Sequence, residues 1–145
     1  MKNKILTWAL ASTFSVAIFT ATAAEKKKSE TKVDISKLPP ASDKKDVTYA
    51  KEIKPIFEKS CFGCHGAEKQ KNKLRLDSLE AALKGGENGP DIIKDKSSES
   101  PLVHAVADLL DEDGNMPPAE KREKYPALSK DQIGLIRAWI DQGAK

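Results

Sequence analysis

The sequence predicts an all-α fold, with about four short helices in one small domain. Apolar residues recur at helical spacing in several segments, and no segment shows the strict alternation that is typical of a β-strand. The chain has 145 residues, enough for one small domain with an N-terminal extension and too few for a large two-domain enzyme. We therefore place the folded domain at residues 47–145.

Start and stop signals indicate the first two helices. Residues 49–60 carry apolar side chains on one face, and Pro55 is tolerated in a first turn, so regular helix should begin near Lys54. Asp77 has the side chain of an N-cap and predicts a second helix over residues 78–84. The glycine pair that follows this segment is a stop signal.

The third helix is predicted from a capping residue followed by proline. Ser100 and Pro101 form this pair, which is a preferred helix start. Apolar residues keep helical spacing as far as Leu110. We therefore expect the third helix to end in the acidic turn at residues 111–114.

The last helix has the clearest signals in the chain. Ser129 and Gln132 match a capping box, and a stripe of isoleucines follows at helical spacing. Gly143 is a natural terminator. Gly134 lies inside the predicted helix, where it costs about 1 kcal/mol relative to alanine. Its missing side chain would allow another helix to approach closely, although it is equally compatible with an ordinary surface position.

Residues 1–24 have the layout of a secretory signal peptide. A short basic start precedes an uncharged apolar run over residues 5–23, which ends in small residues. A retained membrane anchor is the alternative, because the run is nearly long enough to span a bilayer. We expect cleavage and a mature protein in a bacterial periplasm.

Residues 25–46 are predicted to be a flexible leader. They are rich in lysine and serine, contain a proline pair, and have too few apolar side chains to offset the entropy of ordering. Without the signal segment the chain is almost neutral. This balance argues against a general nucleic-acid binder, which needs a concentrated basic surface.

One motif carries the chemistry. Cys61, Cys64 and His65 form C-x-x-C-H, the pattern for covalent attachment of c-type haem. Two thiols three residues apart reach the two vinyl groups of a porphyrin, and the adjacent imidazole reaches the iron. The alternatives are a disulfide or a redox dithiol, but a thioredoxin-like pair requires a βαβ setting that the sequence lacks. Structural zinc is disfavoured, since the chain has only two Cys and two His.

The iron needs a second axial ligand, and the candidates are Met116 and His104. Met116 precedes a proline pair, so it should lie on an extended loop and project into a pocket. We favour Met116, because His104 fits better as a helix-surface or packing residue. The second ring nitrogen of His65 needs a backbone carbonyl, for which the turn at Gly89 and Pro90 is a candidate through the Pro90 carbonyl. An ordinary loop turn is an equal alternative there.

With these residues in place, the chain resembles class I cytochromes c, and more specifically the planctomycete-type cytochrome c domain. The matching stretches are residues 54–57, 61–66, 74–78, 85–86, 89–90, 100–102, 116–118 and 133–144. The resemblance implies a small cytochrome c-like all-α fold around one haem c, covalently bound through Cys61 and Cys64. It also implies His65 and Met116 as metal ligands, and Arg75 near the haem propionates.

We therefore expect a monohaem, periplasmic one-electron carrier that has no catalytic residues. Its partners would be redox proteins, with no nucleic acid and no membrane unless the signal segment is retained, and it should be a monomer. A haem-based sensor, a haem subunit of a larger oxidoreductase complex and a peroxidase-like enzyme are the alternatives. Two charged segments are a further hypothesis for partner docking, with two solvated loops as the alternative. They are a basic segment (Lys69, Lys71, Lys73, Arg75) and an acidic one (Asp108, Asp111, Glu112, Asp113).

Overall fold

The structure, a computed structural model, describes residues 33–145. Within this range it contains five α-helices and no β-strand, so the predicted all-α, cytochrome c-like fold class is confirmed. The helices are α1 (Lys54–Ser60), α2 (Phe62–His65), α3 (Leu79–Lys84), α4 (Pro101–Val106) and α5 (Lys130–Asp141). The predicted signal peptide at residues 1–24 lies outside the described residues.

The first helical segment begins with a π-helical turn, Tyr49–Ile53, and continues directly into α1. Thr48 caps the turn, because its hydroxyl accepts a hydrogen bond from the backbone amide of Lys51 at 3.4 Å. Regular α-helix begins at Lys54, and Pro55 occupies the first turn, as the sequence predicts.

The N-cap of α3 is Ser78, one residue later than the Asp77 that the sequence suggested. The Ser78 hydroxyl accepts from the amide of Ala81 at 3.3 Å. Asp77 instead forms a bidentate ion pair with Arg75, whose Nε and Nη2 donate to the two carboxylate oxygens at 2.9 and 2.7 Å. The cap was misplaced because the carboxylate has a stronger, charged partner two residues earlier. Gly85 ends the helix with a positive φ of 78°.

The third predicted helix is shorter than its apolar pattern suggested. α4 ends at Val106, and Asp108 adopts a left-handed conformation with φ 55°. A chain in that conformation leaves the helix, so Leu109 and Leu110 lie beyond it. Ser100 precedes α4 as predicted, but its hydroxyl accepts from the amide of Ile93 at 2.9 Å.

The core forms where α5 crosses the first helical segment and α4. The predicted capping box is present, with Ser129 accepting from Gln132 at 3.2 Å and Gln132 accepting from Ser129 at 2.9 Å. The central aromatic side chains are those of Tyr49, Phe57 and Trp139, and the Trp139 ring lies 5.9 Å from Tyr49 and 6.4 Å from Phe57. This packing fixes the end of α1, from which the attachment motif continues.

Residues 38–46, which the sequence assigned to a flexible leader, lie along α5. The amide of Ser42 donates to the carbonyl of Gly134 at 2.9 Å, and Arg137 donates to the carbonyl of Pro39. The Gln142 side chain donates to the carbonyl of Lys44 at 2.8 Å. The low apolar content misled the prediction, because these contacts are mainly hydrogen bonds to backbone groups. Among the described residues, no helix has the length and apolar character to cross a membrane.

Candidate haem site

A tight turn after α1 presents the attachment motif. The carbonyl of Cys61 accepts from the amides of Cys64 at 3.0 Å and His65 at 2.9 Å, which closes the single turn of α2. Cys61 is buried and Cys64 is half-buried. The turn therefore brings both thiols and the imidazole to one side of the chain.

The segment that follows the motif orients His65. The ring Nδ1 of His65 lies 3.4 Å from the carbonyl oxygen of Leu74, and the His65 carbonyl accepts from the amide of Leu76 at 2.8 Å. The Tyr49 hydroxyl donates to the Leu76 carbonyl at 2.7 Å and joins this segment to the core. The suggestion of the Pro90 carbonyl was wrong, because the extended Leu74 backbone reaches the ring instead.

The electrostatics of the motif are set mainly by burial. Burial lowers the pKa of His65, although the Leu74 carbonyl opposes this effect. The ring is therefore held neutral with Nε2 free of its proton when Nδ1 donates to Leu74, and this is a metal-binding form. Burial, with a smaller contribution from Cys64, raises the pKa of Cys61 to about 12. Cys61 is accordingly a neutral thiol at neutral pH.

Met116 is held in place by α4. Its backbone amide donates to the carbonyl of Ala105 at 2.9 Å, and its side chain packs against the core. Arg122 fixes the next residues, since it donates to the carbonyl of Pro117 at 2.9 Å and pairs with Asp108 at 2.5 Å. These bonds therefore fix the position of the Met116 backbone beside α4.

One cavity, which we call the haem cavity, has Cys61, Cys64, His65 and Met116 in its lining. The space inside this lining, including the part open to solvent, is about 580 Å³. The wall is mainly apolar, and its other members are Ser60, Lys71, Leu76, Leu102, Ala105, Val106, Pro117, Pro118, Lys121 and Tyr125.

The residues present fit a covalently bound haem. Two thiols can form thioethers, a neutral imidazole and a thioether sulfur can ligate iron, and an apolar wall can enclose a porphyrin. His104 is not part of this lining; its Nε2 donates to the carbonyl of Ser98 at 2.7 Å. The structure thus brings together the four residues chosen from the sequence and leaves the rejected ligand apart.

The sequence did not identify Lys71, Lys121 or Tyr125 as cavity residues. Arg75, which the resemblance placed near the propionates, is paired with Asp77 and does not line the cavity. The only signal in the sequence for Lys121 and Tyr125 was their position in a polar loop soon after Met116. Such a signal does not say which way the loop folds.

The two charged segments are partly neutralised by neighbours in the described structure. Lys73 pairs with Glu87 at 3.0 Å, and Arg75 and Asp108 are paired as described above. These ion pairs reduce the charge asymmetry that the sequence suggested. Partner docking through the whole of either segment stays a hypothesis.

Residues 61–120 match the planctomycete cytochrome C family. The match begins at Cys61 and includes Met116, and it confirms the resemblance to a planctomycete-type cytochrome c domain. It supports a c-type cytochrome and implies a covalent haem c, which the spacing of Cys61 and Cys64 fits. No curated protein and no solved structure matches the chain at a significant level.

Proposed function

We propose that this protein is a monohaem c-type cytochrome that carries one electron at a time between redox proteins in a bacterial periplasm. The observation that carries the proposal is the haem cavity, whose wall contains Cys61, Cys64, His65 and Met116. The chain has two cysteines, enough for one doubly attached haem. A cytochrome c domain of this type is typical of exported proteins.

Each of the four residues has a separate task in the proposal. The thiols of Cys61 and Cys64 would hold the haem by thioethers, and His65 and Met116 would ligate its iron. The haem, when bound, supplies an iron that gains or loses one electron. Methionine–histidine ligation raises the reduction potential and leaves no open position for a substrate.

The surrounding residues keep the site ready for electron transfer. The Leu74 carbonyl orients the His65 ring, and the Ala105 carbonyl holds the backbone of Met116. Because these contacts hold the His65 ring and the Met116 backbone in place, the protein around the site would change little when an electron is gained or lost. One electron enters from a reduced partner and one leaves to an oxidised partner, with no bond made or broken on a substrate.

Optical spectra of the purified protein test the proposal. The full chain is produced in a host with c-haem maturation machinery, and haem content is measured by mass spectrometry and a pyridine haemochrome assay. We expect one covalent haem per chain and the weak red-edge band of methionine-ligated ferric iron. Absence of covalent haem would contradict the proposal and return Cys61 and Cys64 to a dithiol role.

Two variants separate the ligands from their neighbours. Met116→Ala should remove the red-edge band and allow the reduced protein to bind CO, because it opens the sixth position. His104→Gln is the matched control and should leave both properties unchanged, since His104 lies outside the haem cavity. Rapid CO binding by the unchanged protein would favour a haem-based sensor instead.

Location and assembly need separate measurements. We expect the haem protein in the periplasmic fraction without its signal segment, and as a monomer by light scattering. Recovery in membranes with the N-terminus intact would indicate a retained anchor. Co-purification with a larger oxidoreductase from the native host would identify a haem subunit rather than a free carrier.

A further inference from the structure

The ring of Tyr125 packs directly on the backbone of the attachment motif at Gly63. A Cβ atom built on Gly63 would overlap the Tyr125 ring and its hydroxyl. Gly63 lies within α2 and has no positive φ, so its conformation does not itself require glycine. The absent side chain is used here as space for the aromatic ring.

The Tyr125 backbone is fixed from both sides. Its amide donates to the carbonyl of Lys121 at 2.9 Å, and the carbonyl of the next residue, Pro126, accepts from the Ser60 hydroxyl at 2.8 Å. The ammonium of Lys124 lies 5.3 Å from the ring centroid. These contacts join the loop that carries Tyr125 to the end of α1, immediately before Cys61.

Tyr125 also lines a second hollow that adjoins the haem cavity. We call this second hollow the outer groove; its lining contains Gly63, Lys69 and Lys124. Cys64, Lys121 and Tyr125 line both spaces. Tyr125 therefore stands, with Cys64 and Lys121, at the boundary between the haem cavity and the outer groove.

We infer that Tyr125 is a positioning residue that covers the Cys64 edge of the haem, excludes water from it and thereby holds the reduction potential up. This inference rests on the proposed function. Ferric haem carries more positive charge than ferrous haem, so water at the edge stabilises the ferric form and lowers the potential. The outer groove is then the side on which the haem edge comes nearest to an electron partner.

Three holoprotein variants test this role. Tyr125→Ala should lower the reduction potential and speed oxidation of the reduced protein by ferricyanide, because the haem cavity and the outer groove would join. Tyr125→Phe keeps the ring and should match the unchanged protein in both measurements. Gly63→Ala should act like Tyr125→Ala, since the added Cβ displaces the ring from the other side.

The double variant Gly63→Ala with Tyr125→Ala completes a double-mutant cycle on this contact. We expect its potential to equal that of Tyr125→Ala alone, because no ring remains for the added methyl to displace. An unchanged potential in Tyr125→Ala, or fully additive effects of the two changes, would overturn the role of Tyr125. A purely structural tyrosine would lower the stability of the holoprotein without moving its potential.

The same samples distinguish this failure from failure of the proposed function. Covalent haem in every variant, with equal potentials, rejects only the role of Tyr125. No covalent haem in the unchanged protein rejects both the proposed function and the inference that depends on it. Haemochrome content per chain is measured for each variant, so the potentials are compared at equal loading.

Discussion

Replacing Gly134 by alanine sets helix propensity against a close backbone contact. Gly134 lies inside α5, and propensity alone predicts that Gly134→Ala stabilises the fold by about 1 kcal/mol. The structure predicts instead that Gly134→Ala destabilises the fold. A Cβ at this position would lie 2.7 Å from the carbonyl oxygen of Pro40, a backbone atom that cannot move without shifting residues 38–46 away from the helix.

The expected size follows from the hydrogen bonds that this shift would break. The nearest are the bond from the Ser42 amide to the Gly134 carbonyl, at 2.9 Å, and the bond from Arg137 to the Pro39 carbonyl. Each contributes about 0.5–1.5 kcal/mol net, so their loss costs about 1–3 kcal/mol. After the gain in helix propensity, Gly134→Ala should destabilise the protein by roughly 1 kcal/mol.

Equilibrium unfolding of the holoprotein in guanidinium chloride, followed by far-ultraviolet circular dichroism, measures this difference. The control is the same substitution in a chain that lacks residues 33–46. In that background no Pro40 carbonyl opposes the methyl group, so alanine should stabilise by about 1 kcal/mol. Stabilisation of the full chain by the same amount would refute the packing of residues 38–46 against α5.

Three further substitutions test individual contacts. Ser129→Ala removes the capping box of α5 and should cost about 1 kcal/mol in chemical unfolding; no loss would contradict the cap. Ser97→Ala removes a hydroxyl that donates to the Asp141 carboxylate at 2.8 Å and accepts from Arg137 at 3.1 Å, so it should cost about 1.5–3 kcal/mol by the same assay, whereas a neutral result would show that these bonds are dispensable. Arg75→Gln should raise the pKa of Asp77, which the Arg75 guanidinium holds below its usual value, and an unshifted NMR titration would contradict the pair. Because the folded-state pKa of Asp77 is lowered, its stabilising effect exists above the unfolded-state pKa and disappears as pH falls through the folded-state value.

Local signals in the sequence predicted the parts of the fold that depend on neighbouring residues. The capping box at Ser129, the helix start at Lys54 and the stop at Gly85 are all present. Each depends on a side chain or glycine within a few residues of the helix end. Such signals remain valid whatever the rest of the chain does.

The errors arise where a distant or charged partner competes with the local signal. Asp77 caps no helix because Arg75 binds its carboxylate, and α4 stops at Val106 despite a longer apolar pattern. Residues 38–46 pack through backbone hydrogen bonds, which composition does not reveal. Gly134 receives this segment rather than the second helix that its missing side chain suggested.

The candidate site shows the same division. Cys61, Cys64 and His65 were predicted from a contiguous motif, and Met116 was predicted because sulfur ligands are scarce in this chain; all four line the haem cavity. Tyr125 was not predicted as a cavity residue, because its position depends on a contact with Gly63 across about sixty residues of sequence. The residues next to a glycine in the sequence do not predict which distant side chain packs against it.

The segment between α4 and α5 explains why such a contact matters. Within it the structure forms only one short 3₁₀ helix, Ala119–Lys121, so few of its backbone groups are satisfied by regular structure. Its position depends on a few anchors, among them the bonds from Met116 to Ala105 and from Ser60 to Pro126. A ligand held by the native state alone stabilises that state by mass action, and under the proposed function a covalently attached haem ligated by Met116 would act at very high effective concentration. The haem of the proposed function would therefore order this segment more than any other part of the domain, and the segment would in turn hold Tyr125 at the boundary of the haem cavity.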